Sequence, residues 1–555
     1  MPDAPIDHGI VSTFDSKWSR ADRISLLIVC FASALVVLPG LNSFGIIDPS
    51  DGLYSEGARE MMEMKNFITP HYNYIPFYEK PIMIYWMMIA CYSVFGVHEW
   101  VARLPSALCA IATAAIVFSM SRYFVSRRAA LYSSIVLTTS PLFAIVGMLA
   151  LTDMPLCCFL TTTMLIFIRR LNGDRSPILW LGYVSLGLAV LTKGPLPIAL
   201  TAMVFTAYLM LISGVNLKKP AWYFRQLLQL EPLKGMALTL ALALPWFVVE
   251  SIVTHGDFFQ EFFIRQNLGR LGGLVNHVMP FWFYFPVIVL GTCPWIIFQF
   301  LPPRMTINLL TKRSVALPSD ALALFCLCWS VVVFGFLTVV KTKLATYILP
   351  VVPPIAIIVG LYFDRWGSDK SGRSLIIAGV VIAALLFIAA GVLPIASESL
   401  PEKLKAGYIS PLVLGTLALA IGWAVFSFKV WQNKIESAVQ GVLFCSVVGV
   451  ALIIPTAISV FDIEQDQPLR QLIHRARNEN VRLSTFTRTC TAAPFYMKES
   501  VPMITNEQEY QTFIHDSDKP HWILASKDVV PLLLVHPGEI KLIEQKGKWS
   551  LFLLK

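Results

Sequence analysis

Residues 46–83 read IIDPSDGLYSEGAREMMEMKNFITPHYNYIPFYEKPIM, a polar stretch rich in carboxylates and tyrosines that also carries Arg59 and Lys80. It follows directly on the apolar run 24–40, which is long enough to cross a bilayer as a helix. A long polar loop at a membrane surface usually carries function, and Asp48 to Lys80 reads as one wall of a catalytic cavity.

The rest of the chain sets the context. Of its 555 residues, 56% are hydrophobic and 14% are charged, and its mean hydropathy is +0.65. Soluble domains carry about 25% charged residues, so this composition is that of a polytopic membrane protein. The net charge of +9 is spread as short Lys/Arg clusters between apolar runs, the pattern of topology signals, and nucleic acid is not an expected partner. Nine of the ten cysteines lie in or beside apolar segments and only Cys490 sits in the polar tail, so no disulfide framework is expected. No small-residue cleavage site follows the first apolar run, which is read as a retained span.

Thirteen apolar runs qualify as crossings: near 24–40, 102–120, 129–147, 155–168, 177–192, 195–213, 235–253, 281–300, 321–340, 345–362, 374–394, 409–428 and 437–460. With a cytoplasmic N-terminus, every basic cluster falls on an inner loop: Arg122, Arg127 and Arg128; Arg169, Arg170 and Arg175; Lys218, Lys219 and Arg225; Arg304, Lys312 and Arg313; Arg365, Lys370 and Arg373; Lys429 and Lys434. The run 82–97 is apolar enough to span, but counting it as a crossing inverts all of these clusters. It is therefore assigned to a juxtamembrane or re-entrant helix on the outer side. The expected division is a transmembrane domain over 1–462, with outer loop 41–101 forming part of the site, and an outer soluble domain over 463–555. In the latter, 467–478 reads as a helix, VRLSTFTR and HWILAS as strands, and the end as a hairpin about Lys546 to Lys548.

Several polar residues collect on the outer face. Asp153 in LTDMP has no basic partner in its own loop and is a functional candidate, although an acid ahead of Pro155 is also a common helix start. Asp51 opens a helical stretch and Asp48 precedes Pro49, so each has a local role available beside a catalytic one as an acid near cations. Lys80 in FYEKP either snorkels or serves as a point charge for phosphate, and Lys193 in LTKGP poses the same choice between two apolar runs. Arg265, Gln266, Asn267 and Arg270 suit either an anionic headgroup or an interfacial anchoring helix, and Lys341, Lys343 and Tyr347 form another outer edge. Cations on the side where the positive-inside rule expects fewest call for an anionic partner.

Taken in order, DPSDGLY, AREM, FYEKP, RLPSA, TDMP, TKGP and KLATYILP resemble the bacterial lipid A aminoarabinose transferase family, within the protein O-mannosyltransferase superfamily. The resemblance implies an all-α polytopic GT-C fold of about 13 transmembrane helices plus a small C-terminal α/β periplasmic domain. It also implies transfer of a sugar from an undecaprenyl-phosphate (polyprenyl-phosphate-sugar) donor to lipid A or another envelope glycan acceptor, among membrane lipids, on the periplasmic face of the bacterial inner membrane. By motif, Lys80, Arg270 and Tyr347 bind the donor phosphate with Lys193 and Lys343 near it, Asp153 and Asp51 or Asp48 lie at the reaction centre, and Glu79, Arg59 and Asn267 line the cavity. The first loop departs from the family's usual DPDEGRY, with Ser50 in place of an acid and Leu53 in place of an arginine. Some members hold a divalent metal near the glutamate of EKP, here Glu79, with help from a histidine in a later outer loop. Residues 264–270 contain none, while His71, His255 and His277 lie on the same side, so a divalent metal stays an open option and is not predicted. A protein O-mannosyltransferase-like enzyme is the nearest alternative, and a polyprenyl-lipid transporter or flippase is the alternative from another class.

Overall fold

In the computed structural model, helix α1 (Arg20–Val37) starts at a capping box: the Ser19 hydroxyl takes the Asp22 amide, and the Asp22 carboxylate takes the Ser19 amide. The structure describes residues 18–213, 220–269, 278–300, 317–365, 372–396, 402–487, 490–515, 519–533 and 540–554. Expectations placed on Lys218, Lys219, Arg270, His277, Arg304, Lys312, Arg313 and Lys370 lie outside these residues.

The outer loop that follows folds as α2 (Ser50–Glu63), the two-residue strands β1 (His71–Tyr72) and β2 (Ile75–Pro76), and α3 (Met83–Phe95). The hairpin turn Asn73–Tyr74 has φ of 57° and 62°, the paired left-handed conformation that a tight two-residue turn requires. Helix α3 has 13 residues, about 20 Å of helix against about 30 Å of hydrocarbon, and it packs on α2 and on α4 (Glu99–Ser121) as a short apolar helix.

The expected run 129–147 is two helices, α5 (Arg127–Thr138) and α6 (Pro141–Gly147), bent by 65°. The break is at Ser140, whose successor Pro141 disfavours helical backbone at the residue before it. Trp295 Nε1 donates to the Thr139 hydroxyl 3.1 Å away at the corner. There follow α7 (Asp153–Leu171), α8 (Ile178–Lys193), α9 (Leu196–Ile212), α10 (Pro220–Leu228) and α11 (Pro232–Val253).

Among the described residues, nine helices are long and apolar enough to cross a membrane, or ten if the bent pair is one span. The other three of the thirteen expected runs are shorter: α8 and α9 have 16 and 17 residues, and 281–300 is broken into short pieces. Gly194, at φ +71°, and Pro195 end α8 and open α9, trading helix length for a tight turn at Lys193. The protein is a mostly helical, multi-pass membrane protein, and one large apolar core runs through most of these helices.

Beyond the last long helix, Ile435–Gln465, the composition changes to alternating and polar, and the chain forms a five-stranded sheet in the order β4 (Met503–Ile504), β3 (Arg482–Phe486), β5 (His521–Ser526), β7 (Trp549–Leu554), β6 (Ile540–Lys546). The β4–β3–β5 pairs are parallel and the last two antiparallel, with Gly547 at φ +57° in the closing turn. Helix Gln467–Asn478 buries Leu469, Leu472, Ile473 and Ala476, an i, i+3, i+4, i+7 stripe that seats it on a core containing Trp522, Leu524 and Leu551.

Candidate active site

The N-terminal end of α7, the C-terminal end of α8 and the segment 342–350 meet in one place. Asp153 is the first residue of α7, where an acid is favoured by the helix dipole, and it is 5% exposed. Lys193, in the last turn of α8, forms a salt bridge with it, and the Thr346 hydroxyl donates to its other oxygen at 3.0 Å. The Lys193 ammonium also lies over the Tyr347 ring, 4.1 Å from its centroid. A Cβ on Gly194 would meet Phe262 at 2.8 Å, so the turn that aims Lys193 leaves no room for a larger residue.

Lys193 and Tyr347 also line a groove. Glu79, Lys80, Gln266 and Thr342 add polar groups to its wall, and Leu156, Leu196, Leu200, Phe262, Phe336, Leu337, Val340 and Pro350 make the remainder apolar. A wall that joins charged groups to hydrocarbon suits an amphiphile with an anionic head. Lys80, 7% exposed, donates to its neighbour's carbonyl, Glu79 O, at 3.3 Å. The stretch leading to it is held from α11 and the residues just after it: Trp246 Nε1 donates to Ile68 O at 3.0 Å, the Thr69 hydroxyl donates to Glu250 at 2.9 Å, and Tyr78 meets Phe258 edge to face.

Tyr54, on α2, backs the same region. Burial, reinforced by neighbours that include Tyr85, Tyr347, Asp153 and Glu79, pushes its hydroxyl well above the ordinary range, so it stays a neutral donor. Thr342, Thr346 and Tyr54 were not singled out from the sequence, because a hydroxyl has no pattern of its own. Glu250 did have a signal, an acid in the apolar helix WFVVESIV, and it is fully buried.

Other expected site residues lie elsewhere. Asp51 does not face the groove but is bound into a buried knot: its Oδ2 accepts from Arg103 Nη2 at 2.5 Å and Nε at 3.2 Å, and from the Ile47 amide at 3.2 Å, while Oδ1 accepts from the Ala150 amide at 2.8 Å. Arg103 is fully buried and spends its other protons on the carbonyls of Leu41, Phe44 and Gly45. A guanidinium so placed needs a counter-charge, and Asp51 supplies it. Asp48 accepts from the Thr491 amide at 2.5 Å, the Ala492 amide at 3.1 Å and the Thr491 hydroxyl. Arg59 is paired with Glu56, Glu63 and Tyr74 on another face of α2. Lys343 points its ammonium at the carbonyls of Val340 and Met279, and desolvation lowers its pKa. Asn267 lies in the helix Phe259–Leu268, and its side chain, like Arg270, is outside the description.

A metal does not fit the donor set in view. Among the described residues no three of His, Cys, Asp and Glu stand close enough to hold one, and His71 has its Nδ1 on Thr69 O. No step is therefore assigned to a metal.

The groove's charged residues fall inside a recognised pattern. Residues 79–247 match the family model for dolichyl-phosphate-mannose-protein mannosyltransferases, a stretch holding Glu79, Lys80, Asp153 and Lys193 but neither Asp48 nor Asp51. An undecaprenyl phosphate-α-4-amino-4-deoxy-L-arabinose arabinosyl transferase of Proteus mirabilis is 29% identical over 353 residues, covering 62% of this chain and 60% of that protein. One of the same description from Sodalis glossinidius is 27% identical over 547 residues, 92% of each chain. The crystal structure of ArnT from Cupriavidus metallidurans, bound to undecaprenyl phosphate, superposes with a TM-score of 0.77 at 20% identity over 96% of this chain and 98% of that one. The chain is similar to the aminoarabinose transferases over nearly its whole length and shares their GT-C fold. That GT-C fold brings Asp153, Lys193 and Tyr347 together from segments nearly 200 residues apart, as the hydrogen bond from Thr346 to Asp153 across 193 positions shows.

Proposed function

We propose that this chain is a glycosyltransferase that moves a sugar, such as 4-amino-4-deoxy-L-arabinose or a related one, from undecaprenyl phosphate to lipid A or a related envelope glycan. In this reading the chain sits in the bacterial inner membrane, and the basic loops, read as cytoplasmic, support a periplasmic position for the groove's charged residues and for residues 463–555. The observation that carries the reading is the groove itself: Lys80, Lys193 and Tyr347 in the wall of an otherwise largely apolar trough.

In this reading the prenyl chain lies along Leu156, Leu200 and Leu337, and its phosphate meets Lys80 and the Tyr347 hydroxyl. Breaking the bond at the anomeric carbon leaves negative charge on the departing lipid phosphate, and pre-positioned donors stabilise that charge as it develops. Asp153 stands beside them, held by Lys193 and Thr346. An acceptor hydroxyl would lose its proton to that carboxylate, whereas an acceptor phosphate arrives ionised and needs only to be oriented by Lys193. Both routes keep the acid fixed while the acceptor attacks.

A protein O-mannosyltransferase-like enzyme is the second reading, favoured by the family model over 79–247. Incubating the purified chain with an undecaprenyl-phosphate-linked aminosugar, lipid A and a serine/threonine-rich peptide, followed by mass spectrometry, separates the two. A mass increment on lipid A supports the first reading. An increment on the peptide alone replaces it with the second, and lipid movement across proteoliposomes with no transfer to either acceptor replaces both with a transporter.

A further inference from the structure

The first outer loop is held by the C-terminal sheet domain at points separated by more than twenty residues. At its start, Asp48 accepts from the Thr491 amide and hydroxyl and from the Ala492 amide, and the Ile46 amide donates to Tyr496 Oη at 2.8 Å. At the tip of the β1–β2 hairpin, the Asn73 side chain pairs with Val501 as a strand backbone would: its amide donates to Val501 O at 3.0 Å, and its oxygen accepts from Val501 N at 2.7 Å. Backbone contact is equally close, since a Cβ on Gly52 would lie 2.8 Å from the Thr491 carbonyl carbon and 2.9 Å from the Ala492 nitrogen. Between these grips lies α2 with Tyr54, and just beyond the second come Glu79 and Lys80.

We propose that the C-terminal domain is a clamp that sets the position of this loop, with Asp48 and Asn73 as positioning residues acting through Tyr54, Glu79 and Lys80; the kinetic part of the inference rests on the function proposed above. The loop itself is short of internal support: β1 and β2 have two residues each, and a lone two-stranded hairpin is marginal in water. Contacts from outside the loop therefore decide where Lys80 stands, those from Trp246, Glu250 and Phe258 together with those from the C-terminal domain. Misplacing a substrate-positioning group by about 1 Å costs up to about a hundredfold in rate or binding.

The test uses the full chain in nanodiscs with two readouts, amide exchange over 71–80 and steady-state kinetics with an undecaprenyl-phosphate-linked sugar. Asn73→Ala and Thr491→Val are expected to speed that exchange about tenfold and to raise the donor KM about tenfold with kcat within about twofold. Thr491→Ser, which keeps the hydroxyl, should restore both readouts, and Gly52→Ala, a wedge that removes no hydrogen bond, should reproduce the loss. Unchanged exchange in Asn73→Ala and Gly52→Ala overturns the clamp, as does faster exchange with a wild-type donor KM. Exchange needs no turnover, so it decides the clamp even if wild type transfers no sugar, a result that would remove the glycosyltransferase reading instead.

Discussion

Lys193 is held between two partners, the Asp153 carboxylate on one side and the Tyr347 ring on the other, 4.1 Å from its centroid. The arrangement fixes a carboxylate against an ammonium that lines the groove, from residues 40 positions apart in sequence. Removing one partner leaves the other buried and unbalanced, so the pair acts as a unit.

Asp153→Asn and Lys193→Ala are each expected to lower transfer by about a hundredfold to a thousandfold while the protein still elutes as a folded species. The double variant should lose little more than either single one, because the two groups act on one event. Initial rates for the three variants check this, and additive losses would separate the two residues' roles.

Lys80→Ala should weaken donor binding more than acceptor binding. Loss of a charge-assisted contact costs about 1.5–3 kcal/mol, about tenfold to a hundredfold in donor KM. Titration with undecaprenyl phosphate alone should show the same loss, and an unchanged affinity would remove Lys80 from the phosphate site.

Arg103→Ala should act on folding instead of kinetics. It strips the buried Asp51 carboxylate of its guanidinium and frees the carbonyls of Leu41, Phe44 and Gly45, and breaking such a pair costs about 3–5 kcal/mol. Thermal unfolding in detergent should register the loss. Asp51→Asn, which keeps the shape, should leave donor KM near wild type in the fraction that folds.

Stability should also depend on pH through Glu60. Burial and the neighbouring Glu56 carboxylate raise its pKa from 4.5 to about 8. A group whose folded pKa exceeds its unfolded one binds more protons when folded, so its contribution is full below pH 4.5 and is lost as pH rises through about 8. Melting temperatures from pH 5 to 9 should therefore fall more steeply in wild type than in Glu60→Gln, and parallel curves would exclude this titration.

The helices were legible because apolar runs carry their own length, and the motif order placed Lys80, Asp153, Lys193 and Tyr347, which the fold gathers around one groove. Asp48 and Asp51 were read as site acids because their partners are invisible locally: Arg103 lies 52 residues beyond Asp51, and Thr491 lies 443 beyond Asp48. Lys343 read as an anion ligand from its place at an outer edge, and its contacts with the backbone carbonyls of Val340 and Met279 had no local signal. Spans shortened by the Gly194–Pro195 turn or bent at Ser140 kept their hydropathy and lost only their geometry.

The pairing of Lys193 with Asp153, and the presence of Glu79 next to Lys80, bears on selectivity. A trough in which Lys193 is paired with a carboxylate and Glu79 lines the wall beside Lys80 offers little long-range attraction to free anions, and a soluble sugar phosphate would gain little from entering it. Selection then falls to the hydrocarbon wall, which rewards only a ligand dragging a long apolar tail. Raising ionic strength should leave its affinity for a prenyl phosphate nearly unchanged, while shortening the prenyl chain should erode it step by step.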